Sequence, residues 1–378
     1  MEPVRESSKS IQLLSELVCN NVAGSSASRG LAIRTTPTPS PRVAELTAVL
    51  RQDDLEELRA LAASNHVLIR AFDSLAPILD VEGNRQAAEW VQVAAEEERS
   101  RIQHALAFLS EICNALQQSG CPVTVIKSLD HWPDLGSDLD LYSDAEPERV
   151  VQVMTSAFHA KVDNRSWGDR LANKWNFVLP GLPELVEIHV GRLGQTGEQI
   201  AVTRSVSART RTVTLGHFPF NVPAPEDRIV ISTLQRMYRH FYIRLCDIVD
   251  NAALLDQHLV DFEYLHSLGA SAGLWDGIAT YLNIISEYME AYRGYGVPLP
   301  SLVTASAKFG AAKVRFRRQF LRVPILPQSI HLYAGELKTL LMNGDLRNSL
   351  RLSLLPGLAT AAALEQKLIE TLGQWEFS

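Results

Sequence analysis

The segment SDLDLYS, residues 137–143, places two aspartates one residue apart within an apolar alternation. Side chains at positions i and i+2 of a strand point to the same face, so Asp138 and Asp140 are expected to project together while Leu139 and Leu141 enter the core. Two carboxylates held this close repel each other unless a cation lies between them. Their oxygens suit Mg²⁺ or Mn²⁺, which complete their coordination with water and substrate phosphates. The pattern therefore favours a divalent-metal site that acts on a phosphate-bearing substrate.

An edge strand with solvated acids on its outer face has the same letters, and an isolated D-x-D pattern is weak evidence for a metal site. Two other segments strengthen the metal hypothesis. A β-branched run ending in VIKS lies shortly before Asp138, and the alternating segment VEIHV carries a third acid, Glu187. We expect the three acids to meet at one point.

The periodicity of the chain predicts a small mixed α/β unit around these acids. Strands are expected at 122–126, which is continuously β-branched, and at 137–143. Two more, at 173–181 and 184–191, are expected to form a hairpin around a Pro-Gly turn. Helices are expected before the first strand and between the second strand and the hairpin.

Outside this unit the pattern is helical, which makes the expected fold class α+β: a small mixed sheet flanked by N- and C-terminal helical regions. Residues 1–42 include a Ser/Thr/Gly/Pro-rich stretch typical of a flexible linker, and residues 43–99 are helical. The α/β domain is then expected at 100–215, and a C-terminal helical domain at 216–378. A chain of 378 residues is long enough to form more than one structural unit.

Composition excludes several classes of protein. Apolar residues make up 46% of the chain and charged residues 21%, as in ordinary globular proteins, and the net charge of -7 argues against a surface that follows nucleic acid throughout. The four cysteines form no CxxC pair, so their spacing indicates neither a structural zinc site nor a disulfide framework. No segment has the length and apolarity of a signal peptide or membrane span, so we expect a cytoplasmic protein with no membrane association.

With these motifs the chain resembles the bacterial nucleotidyltransferase family of the polymerase-β-like nucleotidyltransferase superfamily. In that superfamily a hydrophobic residue followed by Gly and Gly or Ser ends the first strand, an acid-hydrophobic-acid pair follows, and a third acid comes from a later strand. Here these places are taken by Ile126-Lys127-Ser128, Asp138-Leu139-Asp140 and Glu187-Ile188-His189. The resemblance covers about residues 100–260.

The resemblance implies a polymerase-β-like fold and an enzyme that transfers a nucleoside monophosphate from a nucleoside triphosphate, such as ATP, to an acceptor hydroxyl with release of pyrophosphate. It implies that Asp138, Asp140 and Glu187 are catalytic and hold Mg²⁺ (or Mn²⁺), with Glu187 receiving or orienting the acceptor proton. The residues expected to contact the nucleotide are Lys127, Ser128 and His189. The acceptor stays open between RNA, protein and a small molecule. Lys127 as a lysine extending from a strand end and His189 as a satisfied core histidine are equally compatible with the sequence.

Two residues depart from the family pattern. Ser128 stands where many members have glycine, which narrows the space for a triphosphate near the backbone. Glu187 stands where aspartate is commoner, which moves the carboxylate by about a bond length. These departures keep open an alternative of another class, a catalytically inactive module that binds a nucleotide or a partner protein without turnover.

Two charged segments further along the chain have both a functional and an ordinary interpretation. Arg236, His240, Arg244 and Asp247 recur at spacings of four, four and three, as a polar stripe of one helix. The stripe could hold a triphosphate, with Arg244 as the candidate contact, although a solvated face is favoured for Arg236 and a structural role for Asp247. The basic segment 313–322, KVRFRRQFLR, could contact RNA, but an amphipathic helix with a charged outer face is favoured.

A glycosyltransferase is a further rival, because D-x-D members of that class also bind Mn²⁺ and a nucleotide diphosphate. Such enzymes usually place the motif after several strand-helix alternations. Here only helices and one strand precede Asp138, which disfavours a glycosyltransferase.

Overall fold

A computed structural model of the chain describes residues 9–20, 41–47, 50–325, 327 and 330–354. Most of the expected linker lies outside these residues. The helices, numbered in chain order, are α1 (Lys9–Cys19), α2 (Pro41–Thr47), α3 (Gln52–Ser64), α4 (Leu68–Val81), α5 (Arg85–Gln118), α6 (Pro147–Phe158), α7 (Trp167–Leu171), α8 (Ile200–Ala208), α9 (Pro225–Thr233), α10 (Leu245–Asp256), α11 (Phe262–Ser271), α12 (Trp275–Arg293), α13 (Ser301–Ser306), α14 (Ile330–Met342) and α15 (Leu346–Ser353). The strands are β1 (Val123–Val125), β2 (Asp138–Ser143), β3 (Lys161–Val162), β4 (Lys174–Val178), β5 (Leu185–Val190), β6 (Thr210–Leu215), β7 (Phe218–Pro223), β8 (Tyr242–Ile243), β9 (Arg315–Arg317) and β10 (Phe320–Arg322).

The central sheet has five strands in the order β1-β2-β5-β4-β3. β2 runs antiparallel to β1 and parallel to β5, and β4 pairs antiparallel with β5. The mixed α+β class, the strands at both motifs and the β4–β5 hairpin are therefore confirmed. Alternation along β5 directs Val186 and Ile188 into an apolar core and leaves Glu187 and His189 on the other face.

Two hydrophobic cores border the sheet. One joins the apolar sheet face to the second half of α5, to α6 and to β7. The other joins α1, α3, α4 and the start of α5 to α9, α10 and α12, and it includes Tyr142 from the polar sheet face. The N-terminal and C-terminal helical regions thus share one core. The domain limits expected at 99/100 and 215/216 fall within α5 and in the turn between β6 and β7.

The basic segment 313–322 forms a β-hairpin, so the expectation of an amphipathic helix is wrong. β9 and β10 pair through a two-residue turn in which Arg318 and Gln319 both have positive φ, 49° and 70°. Such turns match the twist of antiparallel strands. The letters R-F-R and F-L-R alternate with period two, and β10 also pairs with β8 to complete a three-stranded sheet.

The single helix expected to carry the polar stripe is interrupted. α9 is followed by a π-helical turn, Leu234–His240, and Phe241 then adopts φ 53°, which turns the chain into β8 before α10 begins. The polar stripe is consequently divided between two elements. Among the described residues, no helix combines the length and apolarity that a membrane crossing requires.

Candidate functional site

The register of two parallel strands sets the geometry of the acids. Asp140 of β2 lies beside Glu187 of β5, and one ligand atom each from Asp140, Glu187 and His189 lies within 4.8 Å of the others. The expectation that the three acids meet at one point therefore holds for Asp140 and Glu187 but not for Asp138. Asp138 is exposed and lies outside this close group, because its neighbour across the strands is Leu185. The close group is thus two acids and a histidine, with Asp138 at its edge.

A lysine ammonium already lies between the two carboxylates. Lys127 Nζ is 2.5 Å from Asp140 Oδ1 and 3.8 Å from Glu187 Oε1. Its backbone has φ 64° and ψ −55°, and the Ser128 N–H donates to the Ile126 carbonyl at 2.7 Å. These features define a γ-turn of the rare, strained kind. Strained backbone of this kind is concentrated at functional sites, which supports a functional role for this turn.

Ser128 joins the γ-turn to the start of β2. Its hydroxyl donates to the Asp138 carbonyl at 3.2 Å and accepts from the Asp140 N–H at 2.8 Å. The side chain is buried, and its one proton is directed to a backbone carbonyl. The structure therefore gives Ser128 a positioning role for both aspartates, and a hydrogen bond from this hydroxyl to phosphate would require the contact with Asp138 to break.

Glu187 is held by two further residues through both of its oxygens. His189 Nε2 lies 2.9 Å from Oε1, and Lys174 Nζ lies 2.8 Å from Oε2. Lys174 also pairs with Asp169 at 2.9 Å. Sequence reasoning missed Lys174 and Asp169. The hairpin offered a signal for Lys174, because the register pairs it with His189 and thereby places it on the same face as Glu187.

The two neighbouring carboxylates have opposite pKa shifts. Burial by itself would raise the pKa of Glu187, but Lys127, His189 and Lys174 together hold it well below its usual range. Burial, reinforced by the negative charge of Glu187, raises the pKa of Asp140 above its usual range, although Lys127 opposes the shift. Glu187 is thus held in its ionised form, whereas Asp140 keeps its proton to a higher pH than an ordinary aspartate does.

A narrow cleft opens beside Asp140. Its volume is about 40 Å³, and it is lined by His66, Lys127, Ser128, His131, Gly136, Ser137, Asp138, Asp140, Gln235, Arg236 and Arg244. The expected residues Lys127, Ser128, Asp138, Asp140 and Arg244 are therefore brought together. A volume of this size holds roughly one water molecule, so a nucleotide enters only if the side chains of the wall move apart.

Arg244 is one of the cationic side chains that line the cleft. Its guanidinium carbon lies 5.6 Å from the ring centroid of Tyr242 and 5.7 Å from that of Phe320, and these two rings stack at 4.4 Å. Its buried Nε has no hydrogen-bond partner within the described part of the chain. The Arg244 Nε–H is therefore available as a donor, in a cleft that Asp138 and Asp140 also line, and such an arginine is suited to a bound phosphate.

Arg236 is buried, so the expectation of a solvated side chain is wrong. Only 1% of its surface is exposed, and its Nε lies 2.6 Å from Asp247 Oδ2. Asp247 also accepts the Arg244 N–H at 2.7 Å at the start of α10. The structural role expected for Asp247 is confirmed, and Arg236 shares it.

Comparisons of the chain with protein-family models, with curated proteins and with solved structures found no match. The family resemblance accordingly rests on the three sequence motifs.

Proposed function

We propose that this protein is a metal-dependent nucleotidyltransferase of the polymerase-β-like type. The supporting observation is the position of the Lys127 ammonium between Asp140 and Glu187, two carboxylates on neighbouring parallel strands. The space that the Lys127 ammonium occupies between Asp140 and Glu187 is large enough for a divalent ion. Arg244 lines the adjoining cleft, where it suits the triphosphate that would accompany the ion.

The donor set fits Mg²⁺ or Mn²⁺. Asp140 and Glu187 offer hard oxygen ligands, His189 offers a nitrogen that Mn²⁺ accepts, and Asp138 at the edge of the site can add a further oxygen. When bound, such an ion supplies charge neutralisation of the phosphates and a lowered pKa for the acceptor hydroxyl.

The protein's own side chains provide the remaining steps. The Lys127 ammonium leaves Asp140 and pairs with a phosphate oxygen, a movement that its flexible four-carbon stem allows. Arg244, which also lines the cleft, binds phosphate as well. Glu187, held ionised by Lys174 and His189, orients the acceptor hydroxyl, and the hydroxyl proton passes to water. The hydroxyl oxygen then bonds to the α-phosphorus while the bond from this phosphorus to the leaving pyrophosphate breaks.

A second candidate function is a nucleotide-binding module without turnover. The same Lys127 contacts favour it, because a lysine that permanently neutralises Asp140 and Glu187 removes the need for a metal ion. The small cleft volume and the buried Ser128 hydroxyl agree with that function.

The test is pyrophosphate release by the full-length chain with each nucleoside triphosphate, Mg²⁺ or Mn²⁺, and RNA, protein or metabolite extracts as acceptors. We expect release that falls by about 10²–10³-fold in Asp140→Asn and Glu187→Gln, as for loss of one preorganised electrostatic group. Asp163→Asn, an exposed acid at the sheet edge, is the matched control and should retain activity.

The outcomes separate the candidates. Nucleotide binding without pyrophosphate release under any metal and acceptor would overturn the enzyme and support the binding module. Transfer from a UDP-sugar in place of a triphosphate would support the glycosyltransferase.

A further inference from the structure

Two histidines and a cysteine, side chains that commonly bind transition metals, converge beside the cleft. His66 lies in the turn between α3 and α4, His131 ends the 3-10 turn after β1, and Cys246 lies in the first turn of α10. One ligand atom from each lies within 4.8 Å of the others. These residues come from three separate regions of the chain, so packing alone brings them together.

The hydrogen bonds leave two imidazole nitrogens available. His131 Nδ1 lies 2.6 Å from Asp250 Oδ2, which directs its Nε2 toward Cys246 Sγ at 3.8 Å. The buried Nδ1 of His66 has no hydrogen-bond partner among the described residues. A buried nitrogen without a partner is costly in a packed interior and calls for an explanation.

Asp250 is fixed as a support for His131. Its other oxygen, Oδ1, accepts from Arg70 at 2.6 Å, and Arg70 also binds Asp134 at 2.9 Å. A carboxylate bonded to the far nitrogen of a histidine is the usual arrangement behind a metal-binding imidazole, because it fixes the tautomer and the ring orientation.

We propose that His66, His131 and Cys246 bind a divalent transition-metal ion of the zinc type, at a site separate from the carboxylates. Zinc bonds of about 2.0–2.1 Å to nitrogen and 2.3 Å to sulfur separate tetrahedral ligand atoms by roughly 3.3–3.8 Å. The distance between Cys246 Sγ and His131 Nε2 already meets this requirement. His66 and His131 also line the cleft, from which a water molecule would supply the fourth ligand.

Coordination requires an unprotonated nitrogen on each histidine and a thiolate on Cys246, and His66 already meets this requirement. Burial, together with the nearby Arg244, His131 and other cations, lowers the pKa of His66 well below its usual value, so the imidazole is neutral and its nitrogen lone pair is free. Burial lowers the pKa of His131, but Cys246 and Asp250 together raise it well above its usual value, so His131 also carries a proton on Nε2. Binding would therefore break both the Cys246 S–H bond and the His131 Nε2–H bond, with sulfur and nitrogen keeping the electron pairs as ligands and both protons passing to solvent.

The ordinary alternative is a packed cluster in which Cys246 and His131 share a hydrogen bond. That arrangement satisfies Cys246 and His131, but it leaves the His66 nitrogen unpaired. A metal ion satisfies all three side chains at once.

Co²⁺ titration of the full-length, tag-free chain tests the site. Tetrahedral cobalt bound by thiolate gives an intense charge-transfer absorption, and we expect this band to saturate at about one ion per chain and to yield to Zn²⁺. Cys246→Ser should lose the band, whereas the buried control Cys113→Ser should keep it.

His66→Asn provides a second variant if Cys246→Ser fails to fold. His66 has φ 52°, a conformation that asparagine tolerates, and the residue is only half-buried. Its substitution should weaken Co²⁺ binding at least about tenfold while thermal unfolding stays close to that of the parent. Absence of a saturable band, its persistence in Cys246→Ser, or its loss in Asp140→Asn alone would each overturn the proposal.

Discussion

The carboxylate cluster (Asp140, Glu187 and His189) and the imidazole–thiol cluster (His66, His131 and Cys246) both reach one small cleft, through Asp140 and through the two histidines, yet they differ in donor type and in origin. The first offers oxygen ligands from β2 and β5, adjacent strands whose register fixes the spacing. The second offers nitrogen and sulfur ligands from three segments that only tertiary packing brings together. Oxygen ligands suit Mg²⁺ or Mn²⁺, whereas a thiolate with imidazoles suits zinc-type ions, so the two clusters favour different metal ions.

The compensating charges also differ between the clusters. A mobile lysine, Lys127, neutralises the carboxylates, whereas Asp250, itself bound to Arg70, supports His131. The charge that balances the carboxylate cluster is thus a cationic side chain, whereas the charge beside the imidazole–thiol cluster is an anion.

The largest expected effect is a separation of metal selectivity. Asp140→Asn with Glu187→Gln should weaken Mn²⁺ binding by about 100-fold and leave the cobalt-thiolate band unchanged, and Cys246→Ser should do the reverse. Electron paramagnetic resonance of free Mn²⁺ and cobalt absorption measure the two effects on the same samples. Loss of both signals in either variant would show that the clusters form one site.

The pH dependence of Mn²⁺ binding gives the next largest effect. The raised pKa of Asp140 means that the apo site keeps a proton at a pH where an ordinary aspartate has lost it, and the metal must displace this proton. Affinity should therefore rise by up to about tenfold per pH unit and become constant above that pKa. The folded apo protein holds this proton more tightly than the unfolded chain does. Its free energy of unfolding should therefore fall as the pH rises from the pKa of an ordinary aspartate to the raised pKa of Asp140.

Lys127→Ala sharpens the pH experiment. Because Lys127 lowers the pKa of Asp140, its removal should move the rise in Mn²⁺ affinity to higher pH. A profile that does not move would contradict the assignment of the proton to Asp140.

Substitutions at Lys127 separate charge from backbone strain. On the alkaline plateau, Lys127→Ala should bind Mn²⁺ about tenfold more tightly without nucleotide, since a competing cation is gone, and should bind nucleotide more weakly. Lys127→Gly should show the same affinities. Its free energy of unfolding should exceed that of Lys127→Ala by about 1 kcal/mol, because glycine tolerates positive φ. Equal melting of the two variants would refute the strain.

The smallest effect is expected at the β9–β10 hairpin. Within the described chain, Arg315, Arg317 and Arg318 form no ion pair, and all three are exposed. Their substitution by glutamine should reduce the salt dependence of single-stranded RNA binding by about one unit of slope per arginine. Arg204→Gln with Arg211→Gln, exposed arginines elsewhere, is the control; an equal loss there would assign the binding to general charge.

Period-two patterns explain how much of the carboxylate site could be predicted. The alternations in β2 and β5 depend on local sequence, and from them Asp140 and Glu187 were placed on the polar face correctly. Asp140 pairs with Glu187, whereas Asp138 pairs with Leu185. Which of the two aspartates lies beside Glu187 depends on the register between β2 and β5, which no local pattern contains. The hairpin at 315–322 shows the opposite error, because its charges suggested a helical face while its alternation indicated strands.

The sequence by itself determined the alternating strands, the acids on them and the amphipathic helices, because each depends on residues within a few positions of one another. Only the tertiary structure decided that Lys127 lies between two carboxylates and that His66, His131 and Cys246 meet. Those contacts join residues far apart in the chain, and their distances are set by how the helices pack on the sheet.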